Sequence, residues 1–359
     1  MTSEHPTELR IIDANFNRAR EALRVMEEFA RFVLDDARLT QACKSLRHAL
    51  TQSVSEFGQH LIVRREIARD VGRTGSVAGE YERADVGAVV EAACKRASEA
   101  LRSIEEYGKV GHPTVGRSIE RIRYDCYEIE RKLLLAARVR SRLARVRLYV
   151  LISEAYCRKD WLATARDALR GGADCLQLRE KQLSDRELIE RAGVLAELCR
   201  EHDALCIVND RPDVACASGA DGVHLGQDDI PVWAARRVLP ARSIVGVSTH
   251  GIEQAIAAAD QSPDYVALGP MFPSTTKPTA KPAGDRTGAS LGPDVLYKVR
   301  SEISLPLAAI GGITADNAGE IIATGRTILC VCAAVTQCVD PEAAARRLCE
   351  LMESGTAAN

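Results

Sequence analysis

A chain of 359 residues, 46% hydrophobic and 27% charged, can build a sizeable core and has room for one large domain beside a smaller one, at ~150 residues per domain. Its formal net charge of -2 gives no electrostatic reason to bind nucleic acid or an acidic membrane surface. No apolar run approaches the ~18 residues of a membrane span, and Met1–Arg10 is polar, unlike a signal peptide, so a cytoplasmic protein is expected.

From Glu8 to about Arg145 the apolar spacing is helical, with few β-branched runs and Pro113 the only proline after Pro6. The run Asn15–Arg31 recurs as Ala93–Lys109. Arg18, Glu21, Ala22, Leu23, Arg24, Glu27 and Glu28 match Arg96, Glu99, Ala100, Leu101, Arg102, Glu105 and Glu106 at one constant offset. A weaker echo follows each copy, Lys44–Arg47 and Glu120–Arg123. This is the mark of a duplicated helix pair, and a helical bundle with pseudo-two-fold symmetry is expected. Arg18, Glu21 and Arg24, like Arg96, Glu99 and Arg102, lie three apart on one helix face. Two readings stand: a surface ladder of ion pairs, or charges that meet at the symmetry axis around a cavity. Between the copies, Arg69–Gly79 is a glycine-rich loop without the GxxxxGK[ST] spacing of a phosphate-binding loop.

After the basic joining segment Arg138–Arg147 the pattern changes. Strands are expected at Leu148–Ile152, Cys175–Arg179, Leu205–Val208, Gly222–Leu225, Ile244–Val247, Tyr265–Leu268, Leu307–Ile310 and Ile328–Val331. Helices such as Asp185–Glu201, Ile252–Asp260, Asp294–Glu302 and Glu342–Met352 separate them. Eight strand–helix units predict a parallel (β/α)8 TIM barrel, an α/β fold, with a doubly wound open sheet as the alternative. The expected domains are residues 1–140, helical, and residues 141–359, the barrel.

A barrel carries its chemistry at the carboxyl ends of its strands. Strand two ends in Gln177, Arg179 and Lys181, which alternate onto one face and offer an amide and two cations to a polyanion such as diphosphate. Strand three ends in Asn209-Asp210-Arg211 and strand four in His224-Leu-Gly-Gln-Asp-Asp229. Asp210 and Asp229, from neighbouring strands, suit a shared Mg2+, which takes one or two carboxylates along with waters and phosphate oxygens. Strand five offers Ser248. Strand six runs into Gly269-Pro-Met-Phe-Pro-Ser-Thr-Thr-Lys277 and a long Pro/Gly/Lys-rich stretch of the kind used as a lid. After strand seven, Gly311-Gly312 precede a helix whose amides and dipole suit a phosphate. The twelve cysteines form no CxxC pair, and many sit in apolar runs, so core burial is expected of them rather than disulfides or metal.

These motifs resemble the thiamine phosphate synthase family over residues 147–353: Gln177-Leu-Arg-Glu-Lys181, Val208-Asn-Asp210, His224-Leu-Gly-Gln-Asp-Asp229, Gly246-Val-Ser248, Gly269–Lys277 and Gly311-Gly-Ile-Thr314. The resemblance implies joining of hydroxymethylpyrimidine diphosphate to hydroxyethylthiazole phosphate with release of diphosphate. It implies Gln177, Arg179, Lys181 and Asn209 on the pyrimidine diphosphate, and Asp210 and Asp229 on Mg2+. Arg179, Lys181, Ser248 and Lys277 become the candidate catalytic groups. Ser274, Thr275, Thr276, Gly312, Cys332 and Ala333 lie where the thiazole phosphate is bound. The chain departs from the family in Val331-Cys-Ala-Ala-Val335, where a serine is common, and in Pro273-Ser-Thr-Thr-Lys277, where Pro-Thr-x-Thr-Lys is commoner. A related barrel, the thiazole tautomerase, makes no bond and has no use for an acid pair beside a diphosphate clamp.

The first half is similar to the helical domain that precedes the barrel in some bacterial members, through Ile11–Arg24, Leu46-Arg-His48, Arg69-Asp-Val-Gly72 and the second repeat. That domain is associated with hydroxymethylpyrimidine phosphate kinase activity; a non-catalytic interaction module is the alternative. Partners are expected to be small molecules, with neither nucleic acid nor membrane, and a homo-oligomer is left open.

Overall fold

The computed structural model describes residues 6–57, 61, 82–273 and 290–356. The chain divides into two compact units, Met1–Arg138 and Val139–Asn359, two residues before the boundary expected from sequence. Among the described residues no helix is long and apolar enough to cross a membrane.

The first unit is helical. Helix α1 (Pro6–Glu28) runs into a π-helical turn (Phe29–Val33), then α2 (Ala37–Ser53); α3 (Val86–Gly111) is followed by α4 (Pro113–Arg145). Asp36 and Asp85 cap α2 and α3, their carboxylates accepting from the backbone N–H groups of Leu39 and Ala88. The duplicated helices α1 and α3 pack on each other. Ala19, Ala22, Leu23 and Met26 are buried in one copy, and Ala97, Ala100, Leu101 and Ile104 occupy the matching buried positions in the other. Alanines at these positions let two long helices approach closely.

The echo sequences have a structural meaning. Arg47 of α2 reaches Glu27 of α1 at 3.0 Å, and Arg123 of α4 reaches Glu105 of α3 at 2.7 Å. The duplication therefore repeats a cross-helix ion pair. By contrast, Arg18, Glu21, Arg24 and their counterparts Arg96, Glu99 and Arg102 are exposed. Arg24 pairs with Glu27 and Glu28, and Arg102 with Glu105 and Glu106. The surface-ladder reading fits the exposed positions, with Arg24 and Arg102 each reaching carboxylates one turn ahead. The loop Arg69–Gly79 lies outside the described residues.

The second unit is a closed parallel barrel in simple chain order. Its strands are β1 (Leu148–Ile152), β2 (Cys175–Leu178), β3 (Leu205–Asn209), β4 (Gly222–Leu225), β5 (Ile244–Thr249), β6 (Tyr265–Leu268), β7 (Leu307–Ile310) and β8 (Ile328–Val331). β8 returns to β1, pairing Leu148 with Leu329. The outer helices are α5 (Trp161–Arg170), α6 (Asp185–Glu201), α7 (Pro212–Ser218), α8 (Val232–Val238), α9 (Ile252–Ala259), α10 (Asp294–Glu302), the short α11 (Ala318–Ile322) and α12 (Ala333–Thr336), and α13 (Pro341–Thr356).

Period-two alternation sorts the strand residues into two cores. Leu148, Val150, Ile152, Leu176, Leu178 and their like point outward to the helices. Tyr149, Leu151, Cys175, Leu205, Ile207, Ile244, Tyr265 and Cys330 fill the interior. The segment read as a basic joint is helical for most of its length, because α4 continues to Arg145. Its Val139 and Leu143, followed by Val146, join the interior cluster, and Arg142 bonds Asp221 at 2.6 Å. Eight of the cysteines are buried, and all twelve are free thiols.

The ion pairs of the two repeats differ in burial, and so should their worth. The Glu105 and Arg123 side chains are 2% and 8% exposed, against 10% and 26% for Glu27 and Arg47. Glu105→Ala strands a buried guanidinium and should cost ~3–5 kcal/mol, while Glu27→Ala should cost clearly less. Urea unfolding followed by circular dichroism checks this; equal losses would contradict it.

Candidate active site

The inward rows of the barrel end at its carboxyl mouth, and the polar residues begin there. Gln177 follows Cys175 in the inward row of β2, opposite Leu151 of β1. Arg179 comes next; its backbone N–H still donates to Ile152 O at 2.9 Å, so β2 continues in direction past its last paired residue. Asn209 closes the inward row of β3, His224 that of β4 and Ser248 that of β5.

A continuous hydrogen-bonded chain crosses the barrel below this mouth. Gln177 Nε2 lies 2.6 Å from Tyr149 Oη, which lies 3.1 Å from Tyr265 Oη. Tyr265 Oη is 2.8 Å from His224 Nδ1, and His224 Nε2 is 2.7 Å from Ser248 Oγ. Gln177, Tyr149, Tyr265 and His224 are all buried. Burial holds both phenols well above their ordinary range, so they remain protonated. Gly246 makes room for this chain: a Cβ there would stand 2.0 Å from Tyr265 Cζ.

The acid pair lies at the rim. Asp210 sits just past β3 with φ +64, a left-handed backbone that aspartate tolerates better than most residues. Its N–H donates to His224 O at 2.8 Å, which fixes it beside β4. Asp229 is held by the Gly226 N–H at 2.6 Å. Burial and the neighbouring Asp229 carboxyl push Asp210 up to about 6, against the pull of Lys181 and Arg179. Lys181 Nζ is 3.8 Å from Asp210 Oδ2. Two neighbouring carboxylates, with cations close by, make a donor set suited to a hard divalent ion. Among the described residues no group of three or more His, Cys, Asp and Glu forms a metal cage, so such an ion would complete its shell with water and ligand oxygens.

The Arg179 charge favours the ionised forms of both Asp210 and Cys332. Cys332 is half-buried, and burial raises its thiol. It is followed directly by Ala333 at the start of α12. At β7, Gly311 and Gly312 have φ +98 and +68, and a Cβ on either would run into the Pro270–Pro273 segment at 2.5–2.7 Å. Asn317 clamps this turn by donating to Gly312 O and accepting from Thr314 N. The helix dipole expected here is not available. The helix after the glycines begins only at Ala318 and spans 5 residues, too short and too far on to lend its dipole, which leaves the amides of the turn.

Leu291 N–H donates to Pro270 O at 2.8 Å and Gly292 N–H to Met271 O at 3.0 Å, so the two ends of the long β6–α10 connection meet at the mouth. Ser274, Thr275, Thr276 and Lys277 lie within it, outside the described residues. The structure thus brings Gln177, Arg179, Lys181, Asn209, Asp210, Asp229, Ser248, Gly312, Cys332 and Ala333 to strand ends on one face of the barrel. Sequence reasoning missed Tyr149 and Tyr265, and it gave His224 no role. Their signal was there: both tyrosines fall on inward parity in strands otherwise lined by aliphatics, and Gly246 leaves the gap they fill.

Comparison with known proteins agrees on both units. Residues 148–335 match the family described as thiamine monophosphate synthase, and residues 10–132 match the ThiD2 family. A thiamine-phosphate synthase of Synechocystis is 39% identical over 349 residues, covering 97% of each chain. That of Rhodopirellula baltica is 42% identical over 333 residues, covering 90% of this chain and 87% of its own. The solved thiamine phosphate pyrophosphorylase of Pyrococcus furiosus shares 34% identity with a TM-score of 0.53, covering 60% of this chain and 98% of its own.

The Gly246–Tyr265 contact is directly testable. Gly246→Ala must push the tyrosine ring aside, and overpacking of this kind costs ~1–3 kcal/mol. Its melting temperature should fall measurably; an unchanged value would mean that the ring is not seated as described.

Proposed function

The chain belongs to the thiamine monophosphate synthase family, and from that premise we propose that its barrel joins hydroxymethylpyrimidine diphosphate to hydroxyethylthiazole phosphate, releasing diphosphate. It is a transferase of thiamine biosynthesis. The observation that carries the proposed chemistry is the meeting of two cations, two carboxylates and a buried amide at one barrel mouth.

The carbon–oxygen bond of the pyrimidine methylene breaks with its electron pair passing to the diphosphate. The ring's amino group stabilises the resulting cation, and the thiazole nitrogen attacks it. No protein nucleophile takes part. What the protein must do is stabilise charge on the departing diphosphate and align two rings. Arg179 and Lys181, with Ser248 and Lys277, face the diphosphate in this reading; Gln177 and Asn209 hold the pyrimidine. Ser274, Thr275, Thr276, the Gly312 amide and the Cys332–Ala333 backbone take the thiazole phosphate. Asp210 and Asp229 would hold Mg2+, which supplies positive charge to the leaving group. Cys332 replaces a serine hydroxyl with a weaker donor, so the Ala333 amide carries the phosphate contact there. Twelve free thiols suit a reducing, cytoplasmic setting.

For the helical unit we propose hydroxymethylpyrimidine phosphate kinase activity, one step before the barrel. Its support is the match of residues 10–132 to the ThiD2 family and the resemblance of its repeats.

Turnover of the full-length chain with both ring substrates tests the barrel. Asp210→Asn and Asp229→Asn remove charge but little volume, and each should lower kcat/KM by at least about a hundredfold, the scale of a lost electrostatic contact, without altering the circular dichroism. Near-normal turnover of either variant at limiting Mg2+ would exclude the metal placement. For the helical unit, full-length protein given hydroxymethylpyrimidine phosphate, ATP and Mg2+ should form the diphosphate, seen by phosphorus NMR. Silence from a preparation that still condenses supplied diphosphate would remove the kinase.

A further inference from the structure

Five side chains from five strands form the hydrogen-bonded chain below the mouth, and such a chain has a direction. We propose that Gln177, through Tyr149 and Tyr265, fixes His224 in its Nε2–H tautomer and so turns the Ser248 hydroxyl proton outward, towards the leaving diphosphate. Tyr149, Tyr265 and His224 are then positioning residues of the reaction. The inference rests on the synthase reading only for the identity of the anion that Ser248 meets.

The direction follows from donor and acceptor counting. Gln177 Nε2 faces Tyr149 Oη at 2.6 Å, and an amide nitrogen only donates. Tyr149 accepts there, and Tyr265 Oη at 3.1 Å is the one acceptor among the described residues within reach of its own proton. Tyr265 in turn gives its proton to His224 Nδ1 at 2.8 Å. A ring nitrogen that accepts carries no hydrogen, which leaves the imidazole proton on Nε2, 2.7 Å from Ser248 Oγ. Ser248 accepts from the histidine, and its own proton is left to point away from the chain.

Reversal would have a chemical cost. With the Gln177 amide turned over, every proton in the chain flips, and Ser248 offers only lone pairs to a polyanion. In the stated direction, the Gln177 Oε1 is left as an acceptor. It meets no partner among the described residues, where no polar side-chain atom is both buried and unpaired, so this oxygen opens towards the mouth. An acceptor there suits the amino group of the pyrimidine. Burial of both phenols leaves their protons to partners within the chain.

The tautomer is measurable without turnover, so its failure leaves the synthase assignment untouched. In full-length protein labelled with 15N-histidine, long-range proton–nitrogen correlations should show His224 protonated at Nε2. Gln177→Glu, whose carboxylate accepts, should move that proton to Nδ1. Tyr265→Phe keeps the ring in its seat and should lower kcat about tenfold with little change in KM, as for one lost charge-assisted contact. The same substitution should cost almost nothing further in a Ser248→Ala background. Tyr149→Phe serves as the parallel variant should Tyr265→Phe not fold. An Nδ1–H tautomer in the parent protein, or a Tyr265→Phe loss that persists in full without Ser248, would overturn the proposal.

Discussion

A closed parallel barrel gives each strand one inward row and one outward row, and the rest of this site depends on that constraint. Outward residues are spent on the helices, so only the inward rows can supply chemistry, and only where they surface at the carboxyl mouth. Below the mouth those rows must fill space without stranding polar atoms. Tyr149, Gln177, His224, Tyr265 and Ser248 meet both demands at once: they pack the interior and satisfy one another. Gly222 and Gly246 on β4 and β5 belong to the same packing, since a Cβ on either would overlap a neighbour at 2.0 Å.

Above that layer the electrostatics are deliberately unbalanced. Burial and the Asp229 carboxyl oppose the ionisation of Asp210, while Lys181 and Arg179 pull the other way. Such an arrangement contributes little stability by itself and suits the proposed binding of a divalent cation together with a polyanion, each neutralising what the other cannot. The left-handed backbone at Asp210 fits the same pattern, a local strain held by the bond to His224 O at the candidate site. The helical unit spends its charges differently: its duplicated Glu–Arg pairs tie neighbouring helices together and leave the outer arginines exposed.

The barrel was legible because its signals are local. Apolar runs bounded by polar strand ends gave five of the eight strands with the bounds observed, and the others within two residues. Gln177, Arg179 and Ser248 could be read as candidate site residues because they end inward rows, and Asp210 and Asp229 because they follow the carboxyl ends of neighbouring strands. The hydrogen-bonded chain was not legible, because it joins residues from five strands and nothing in a single strand marks a tyrosine as paired. The helical character of the stretch from Arg138, where the two units divide, was not read because its arginines looked like linker charge; Val139 and Leu143, at apolar spacing between them, were the sign that it packs against the barrel interior. The pairing of Arg47 with Glu27 was likewise hidden, although the echo of Lys44–Arg47 in Glu120–Arg123 carried its imprint.

The most direct measurement of the central claim is anomalous diffraction from crystals of the full-length protein grown with Mn2+ and diphosphate. The account predicts one strong manganese peak between the Asp210 and Asp229 carboxylates, with diphosphate oxygens completing its shell and Arg179 and Lys181 on the same anion. Diphosphate bound at another face of the barrel, or a metal whose ligands include neither aspartate, would contradict it.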